Sequence, residues 1–126
     1  MRAPLSSLPV VLLDSVTQVR PTHAGCVVVT GSHGGVSAAG YALEVAAALY
    51  VFNDAGVGKD DAGIAGLKTL DAAGIAAVAV AHTSARIGEA RDSFTHGVIA
   101  HVNRGAAALG LTRGARLRDL LGSLQL

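Results

Sequence analysis

Three stretches carry the side chains able to do chemistry. The first, Gly31-Ser32-His33-Gly34-Gly35, sets a hydroxyl and an imidazole among glycines. The second runs from Asn53 and Asp54 through Gly56, Gly58 and Lys59 to Asp60 and Asp61. The third, residues 82–89, holds His82, Ser84, Arg86 and Glu89. Glycines at Gly31, Gly34 and Gly35 permit positive φ, so their amides could form an anion-binding nest at the start of a helix. Ser32 would donate to a carboxylate or phosphate oxygen, or act as a nucleophile beside a base. His33 and His82 are candidate general acids and bases, facing each other across one site. Asp54 would serve as a base or orient a histidine. Lys59, one of only two lysines, would anchor an anion, or act as a base if its pKa were depressed. Arg86 suits a bidentate clamp on a carboxylate, with Asn53 and Ser84 completing the substrate contacts. The expected catalytic set is thus His33, Asp54, Lys59 and His82. The expected substrate-binding set is Gly31, Ser32, Gly34, Gly35, Asn53, Ser84 and Arg86.

Some chemistries are excluded by spacing. Gly58-Lys59 resembles the end of a P-loop, but Asn53 stands where that loop needs glycine and Asp60 where it needs Ser or Thr. Residues 31–35 lack the Gly-x-Gly-x-x-Gly spacing of a dinucleotide site. A metal site can be drawn from His33, Asp54, His82 and a further aspartate, but without ligand-spaced local pairs. No metal and no cofactor is expected. His96, His101 and Asn103 read as residues of a helix face, and His23 as part of a turn on the opposite edge.

These loops need elements to bring them together. Residues 8–13 read as a first strand, which 16–20 could extend, with a turn at 21–25. Residues 26–30 read as a strand, 36–48 as a helix, 49–52 as a strand and 75–81 as a strand covered on both faces. Asp60 or Asp61 would cap a helix with Ile64, Leu67 and Leu70 at core spacing, ended by Gly74. Phe94, Val98, Val102, Ala106 and Leu109 form a further helical stripe, interrupted at Gly97 and closed by Gly110. Thr112 would cap a last helix carrying Leu117, Leu120 and Leu121. The link before residue 26 is too short for a crossover helix, so the first two strands are expected to be antiparallel. The later alternation of strand and helix implies parallel pairing. The expected fold is one α/β domain over residues 1–126, small and Rossmann-like, with three parallel strands plus one N-terminal strand and helices packed on the sheet. In such a sheet the loops after parallel strands open on one edge, where ligands bind.

Composition bounds the rest. Hydrophobic residues make up 51% and charged residues 15%, which argues against disorder. Two Tyr, two Phe and no Trp leave alanine and glycine to do the packing. A net charge of +1 with scattered arginines carries no nucleic-acid footprint. No stretch suits a membrane span, residues 1–13 carry no signal peptide, and a cytoplasmic protein is expected. Cys26, the single cysteine, reads as a core residue. The apolar helix over 36–48 suggests a homo-oligomer. The function expected is acid/base chemistry on a small anionic metabolite, as a hydrolase, lyase or isomerase. The alternative is a non-catalytic metabolite-binding or regulatory subunit of a larger enzyme.

Overall fold

The computed structural model describes residues 4–122 and 124. Met1–Ala3, part of the stretch read for a signal peptide, lie outside the described residues.

Runs of valine and small apolar residues make a five-stranded sheet. Its strands are β1 (Val10–Leu13), β2 (Val27–His33), β3 (Leu49–Asn53), β4 (Ala77–Val80) and β5 (Ile99–Val102), in that spatial order. The first four are parallel, and β5 is antiparallel to β4. Every residue of β3 and β4 is buried, as strands covered on both faces must be. One face packs Val28, Tyr50, Phe52, Ala77 and Ala79 against α1 (Val36–Ala42) and α2 (Gly66–Ala72). Strands added in one direction through crossovers of one hand place successive helices on one face, and α1 and α2 do pack together. The other face buries Val27, Val29, Val51, Val78 and Val80 with residues of α4 (Arg104–Ala108) and α5 (Leu117–Leu120). There α3 (Ala90–His96) lies over β1 and β2.

Several sequence expectations are corrected. β1 and β2 are parallel, not antiparallel. Their crossover is made from two short 3-10 turns, Val16–Gln18 and Pro21–His23. Ser15 and Gln18 close the first with a capping box, and Ser32 Oγ accepts the Val16 amide at 2.9 Å. The helix expected over 36–48 ends at Ala42. The Val45 carbonyl accepts the Tyr50 hydroxyl at 2.6 Å and the Ala47 amide, which takes it out of any helical ladder. Neither Asp60 nor Asp61 caps α2, which starts at Gly66; both lie in a 3-10 turn at positive φ. The stripe Phe94–Val98–Val102 is split, because Gly97 ends α3 and Val102 belongs to β5. The last helix begins at Leu117 and is not capped by Thr112. The sheet order has no reversal among its parallel strands, so the crevice that a Rossmann-like sheet opens where its order reverses is missing.

Candidate functional site

The three polar stretches do meet at the C-terminal edge of the parallel strands. Their meeting is built mostly by the third, which leaves β4 and crosses the edge as a strap to reach α3. Four anchors fix it in sequence. The His82 amide donates to Asp54 Oδ1 at 3.0 Å. Asn53 Nδ2 donates to the Ala85 carbonyl at 2.9 Å. The Gly88 amide donates to the Gly31 carbonyl at 2.7 Å. The Ala90 amide donates to Asp14 Oδ1 at 2.9 Å. The strap is therefore tied to β3, then β2, then the end of β1.

Gly31–Gly35 is spent on packing. β2 runs on through it to His33, with a bulge between Val29 and His33. Thr30 supports the bulge by donating to the Val51 carbonyl at 2.8 Å and accepting the Ser32 amide at 3.3 Å. A Cβ on Gly31 would lie 2.5 Å from the backbone of Gly88 and Glu89. The Gly31 amide bonds the Asp14 carbonyl, and that of Gly34 the Gly63 carbonyl. The Gly35 amide bonds His33 Nδ1 at 3.0 Å. With the Ser32 amide on Thr30, the amides of Gly31, Ser32, Gly34 and Gly35 are all satisfied internally, and none of these four is left for an anion. Accepting the Gly35 amide makes Nδ1 of His33 unprotonated, so its Nε2 carries the proton of the neutral ring. His33 borders a shallow cleft of about 300 Å³ with Ala55, Val57, Gly58 and Ala62.

Asp54 is a buried charged residue on this edge. It follows β3 directly, and its side chain is only 8% exposed, whereas that of His82 is 54% exposed. Oδ1 accepts the amides of Gly56 (2.9 Å) and His82 (3.0 Å), and lies 3.1 Å from His82 Nδ1. An ionised carboxylate has no proton to give, so Nδ1 donates. Oδ2 lies 3.6 Å from Nε2 of His101. Burial pushes the Asp54 pKa up. The amides of Gly56 and His82 and the His82 imidazole together outweigh it and hold the pKa below the ordinary carboxylate value. The group thus stays charged between two imidazoles, and Nε2 of His82 is left unprotonated in the neutral ring.

The loop after Asp54 is strained. Ala55, Val57, Asp60 and Asp61 have positive φ, interspersed with Gly56 and Gly58. For a β-branched residue such as Val57 (φ 67°) this is a true outlier. Bonds from the Val57 amide to the Asp54 carbonyl and from the Gly63 amide to the Val57 carbonyl, both 2.7 Å, hold it there. Strain of this kind persists where surrounding contacts over-determine the backbone.

The side chains of Ser84, Arg86, Lys59 and Asn53 make no bond to the side chains of Asp54 or His82. Ser84 Oγ donates to the Ala81 carbonyl and accepts the Val98 amide, a structural role at the strap's origin. Arg86 is 82% exposed and approaches Glu89 at 4.0 Å. Lys59 is exposed in its turn. Asn53 is fully buried and holds the strap and the Ala55 amide. His101, read as a helix residue, stands on β5 opposite Ala79. The run Val98-Ile99-Ala100-His101-Val102, rich in β-branched residues and bounded by Gly97 and Asn103, is the strand signal that could have found it.

Among the described residues no group of three or more His, Cys, Asp or Glu is placed to hold a metal ion. No described helix is long and apolar enough to cross a membrane. Comparison with family models, curated proteins and solved structures finds no match.

Proposed function

We propose that the protein transfers protons on a small anionic metabolite, with His82 as the acid/base and Asp54 as its positioning partner. The observation that supports this reading is the pairing of a nearly buried Asp54 carboxylate with Nδ1 of an exposed His82. Such a carboxylate fixes the tautomer and orientation of an imidazole and stabilises its protonated form, which leaves Nε2 to take and return a proton. The hydroxyls of Ser32 and Ser84 are engaged by backbone amides, which disfavours a serine nucleophile. Isomerisation or elimination begun by removing a carbon-bound proton fits best, with hydrolysis through a water activated by His82 as the next member of the class. Lys59 and His33, on the same edge, are the reserve of positive charge and the second imidazole. Exposed Val36, Tyr41 and Leu43 on and just after α1 support a homo-oligomer as the working form.

The test needs no known product. Carboxylate- and phosphate-bearing metabolites are incubated with the protein in D₂O and their carbon-bound protons followed by NMR. Proton transfer predicts deuterium entering at least one of them, and loss of that exchange in His82→Gln. Exchange that persists in His82→Gln overturns the assignment. A metabolite that raises the melting temperature while neither exchanging nor being converted to product in its NMR spectrum would favour the second reading, a non-catalytic binding subunit. The strap lying across the edge where ligands usually enter gives that alternative its support.

A further inference from the structure

A groove outside the Asp54–His82 pair lies between α2 and β5, where the α1/α2 layer stops short of the last strand. It has a volume of about 380 Å³, within the range of small-molecule sites. Four groups that are or can become cationic line it from four separate segments: Lys68 from α2, His101 from β5, Arg104 from α4, and Arg113 from the link to α5. Among the described residues only one acid, Asp71, shares the lining. It is already committed, accepting Arg104 Nε at 2.7 Å and the Gly105 amide at 3.2 Å. Among the described residues neither Lys68 nor Arg113 has an acidic group within 4.0 Å. The floor between them is apolar, made by Ile64, Leu67 and Val102.

The groove is also held in shape. Asn103, at the junction of β5 and α4, donates to the carbonyls of Leu67 and Ile75 and accepts the amides of Ala77 and Ala106. All four hydrogen-bonding positions of its amide are filled. It pins α2 to the end of β5, so the cations on either side face a fixed gap.

We infer that this groove binds an organic anion, with an apolar body on Leu67 and Val102 and a carboxylate or phosphate held between Lys68 and Arg113. This goes beyond the proton-transfer reading and does not depend on it, because binding can be read without turnover. His101 forms a wall of the groove and stands 3.6 Å from Asp54, so its imidazole reports occupancy.

The experiment titrates the full chain with benzoate, phenyl phosphate and inorganic phosphate, following the His101 ring C–H signals by NMR and the heat by calorimetry. Benzoate or phenyl phosphate should saturate and move the His101 signals, and the tighter of the two identifies the headgroup. Inorganic phosphate, which lacks the apolar body, should bind more weakly than phenyl phosphate. Lys68→Ala and Arg113→Ala, both at exposed positions, should each weaken binding about tenfold. Arg91→Ala, on the exposed side of α3, should leave it unchanged. Three results would overturn the inference: no saturable His101 shift with any probe, equal affinity in the Lys68 and Arg113 variants and the parent protein, or inorganic phosphate binding as tightly as phenyl phosphate.

Discussion

Residues 31–35 and 54–61 are both glycine-rich, both lie at the ends of buried parallel strands, and both sit on the same edge of the sheet. They use glycine differently. In the first, Gly31, Gly34 and Gly35 lack room for a Cβ, because backbone from the strap and from residues 62 and 63 lies against them. In the second, Gly56 has only the His82 ring near it, at 3.7 Å or more, and Gly58 has open space. There glycine serves positive φ, 75° and 77°, and the chain holds the neighbouring non-glycine residues Ala55, Val57, Asp60 and Asp61 at positive φ as well. A glycine cluster thus marks either close backbone approach or unusual dihedrals, and only the second leaves surface for a ligand.

The largest effect is expected at Gly31. Gly31→Ala forces a methyl against the Gly88–Glu89 backbone and should cost roughly 3 kcal/mol, as overpacking does, measured by urea denaturation. Gly58→Ala meets no such contact and should cost less, about 1–2 kcal/mol, from its glycine-favouring dihedrals (φ 77°, ψ −172°) alone. Equal losses at both positions would erase the distinction.

A smaller effect isolates the charge of Asp54, at the head of the second stretch. Its pKa is lowered on folding, so it stabilises the fold at pH values above the unfolded carboxylate pKa, about 4. That contribution is lost as the pH falls through the lower folded value. Asp54→Asn should therefore be less stable than the parent by roughly 1–2 kcal/mol at neutral pH. The gap should close in acid, below about pH 4. A gap independent of pH would mean that the carboxylate charge plays no part.

The smallest effect is at Val57. Asn adopts left-handed dihedrals more readily than a β-branched residue, so Val57→Asn should raise stability by up to about 1 kcal/mol in the same denaturation assay. A loss would show that the Val57 side chain contributes more than its backbone costs.

Much of this arrangement is legible in the amino-acid sequence. The strands around Val27–Val29, Tyr50–Phe52 and Ala77–Val80 are continuous apolar runs bounded by polar or glycine punctuation, and parallel pairing follows from the helices between them. The meeting of Asn53, Asp54 and His82 follows from the same topology. Three features are hidden for physical reasons. A parallel crossover built from 3-10 turns leaves no hydrophobic periodicity, so nothing in residues 14–26 reveals that β1 runs parallel to β2. Val98 and Val102 are spaced four apart, a separation that suits a helix face as well as positions on a strand, so β5 and His101 read as helix. Side-chain bonds at the bulge and the strap also consume the hydroxyls of Ser32 and Ser84, and residue type alone cannot tell an engaged hydroxyl from a free one.

The proposed chemistry rests on Asp54 holding His82 in one tautomer, ready to exchange a proton at Nε2. Nitrogen NMR of the His82 imidazole, recorded at a pH where the ring is neutral, reads that tautomer without intermediaries. A protonated Nδ1 and an unprotonated Nε2 are expected in the parent protein, with the preference lost in Asp54→Asn. A protonated Nε2 in the parent protein, unchanged in Asp54→Asn, would contradict the assignment.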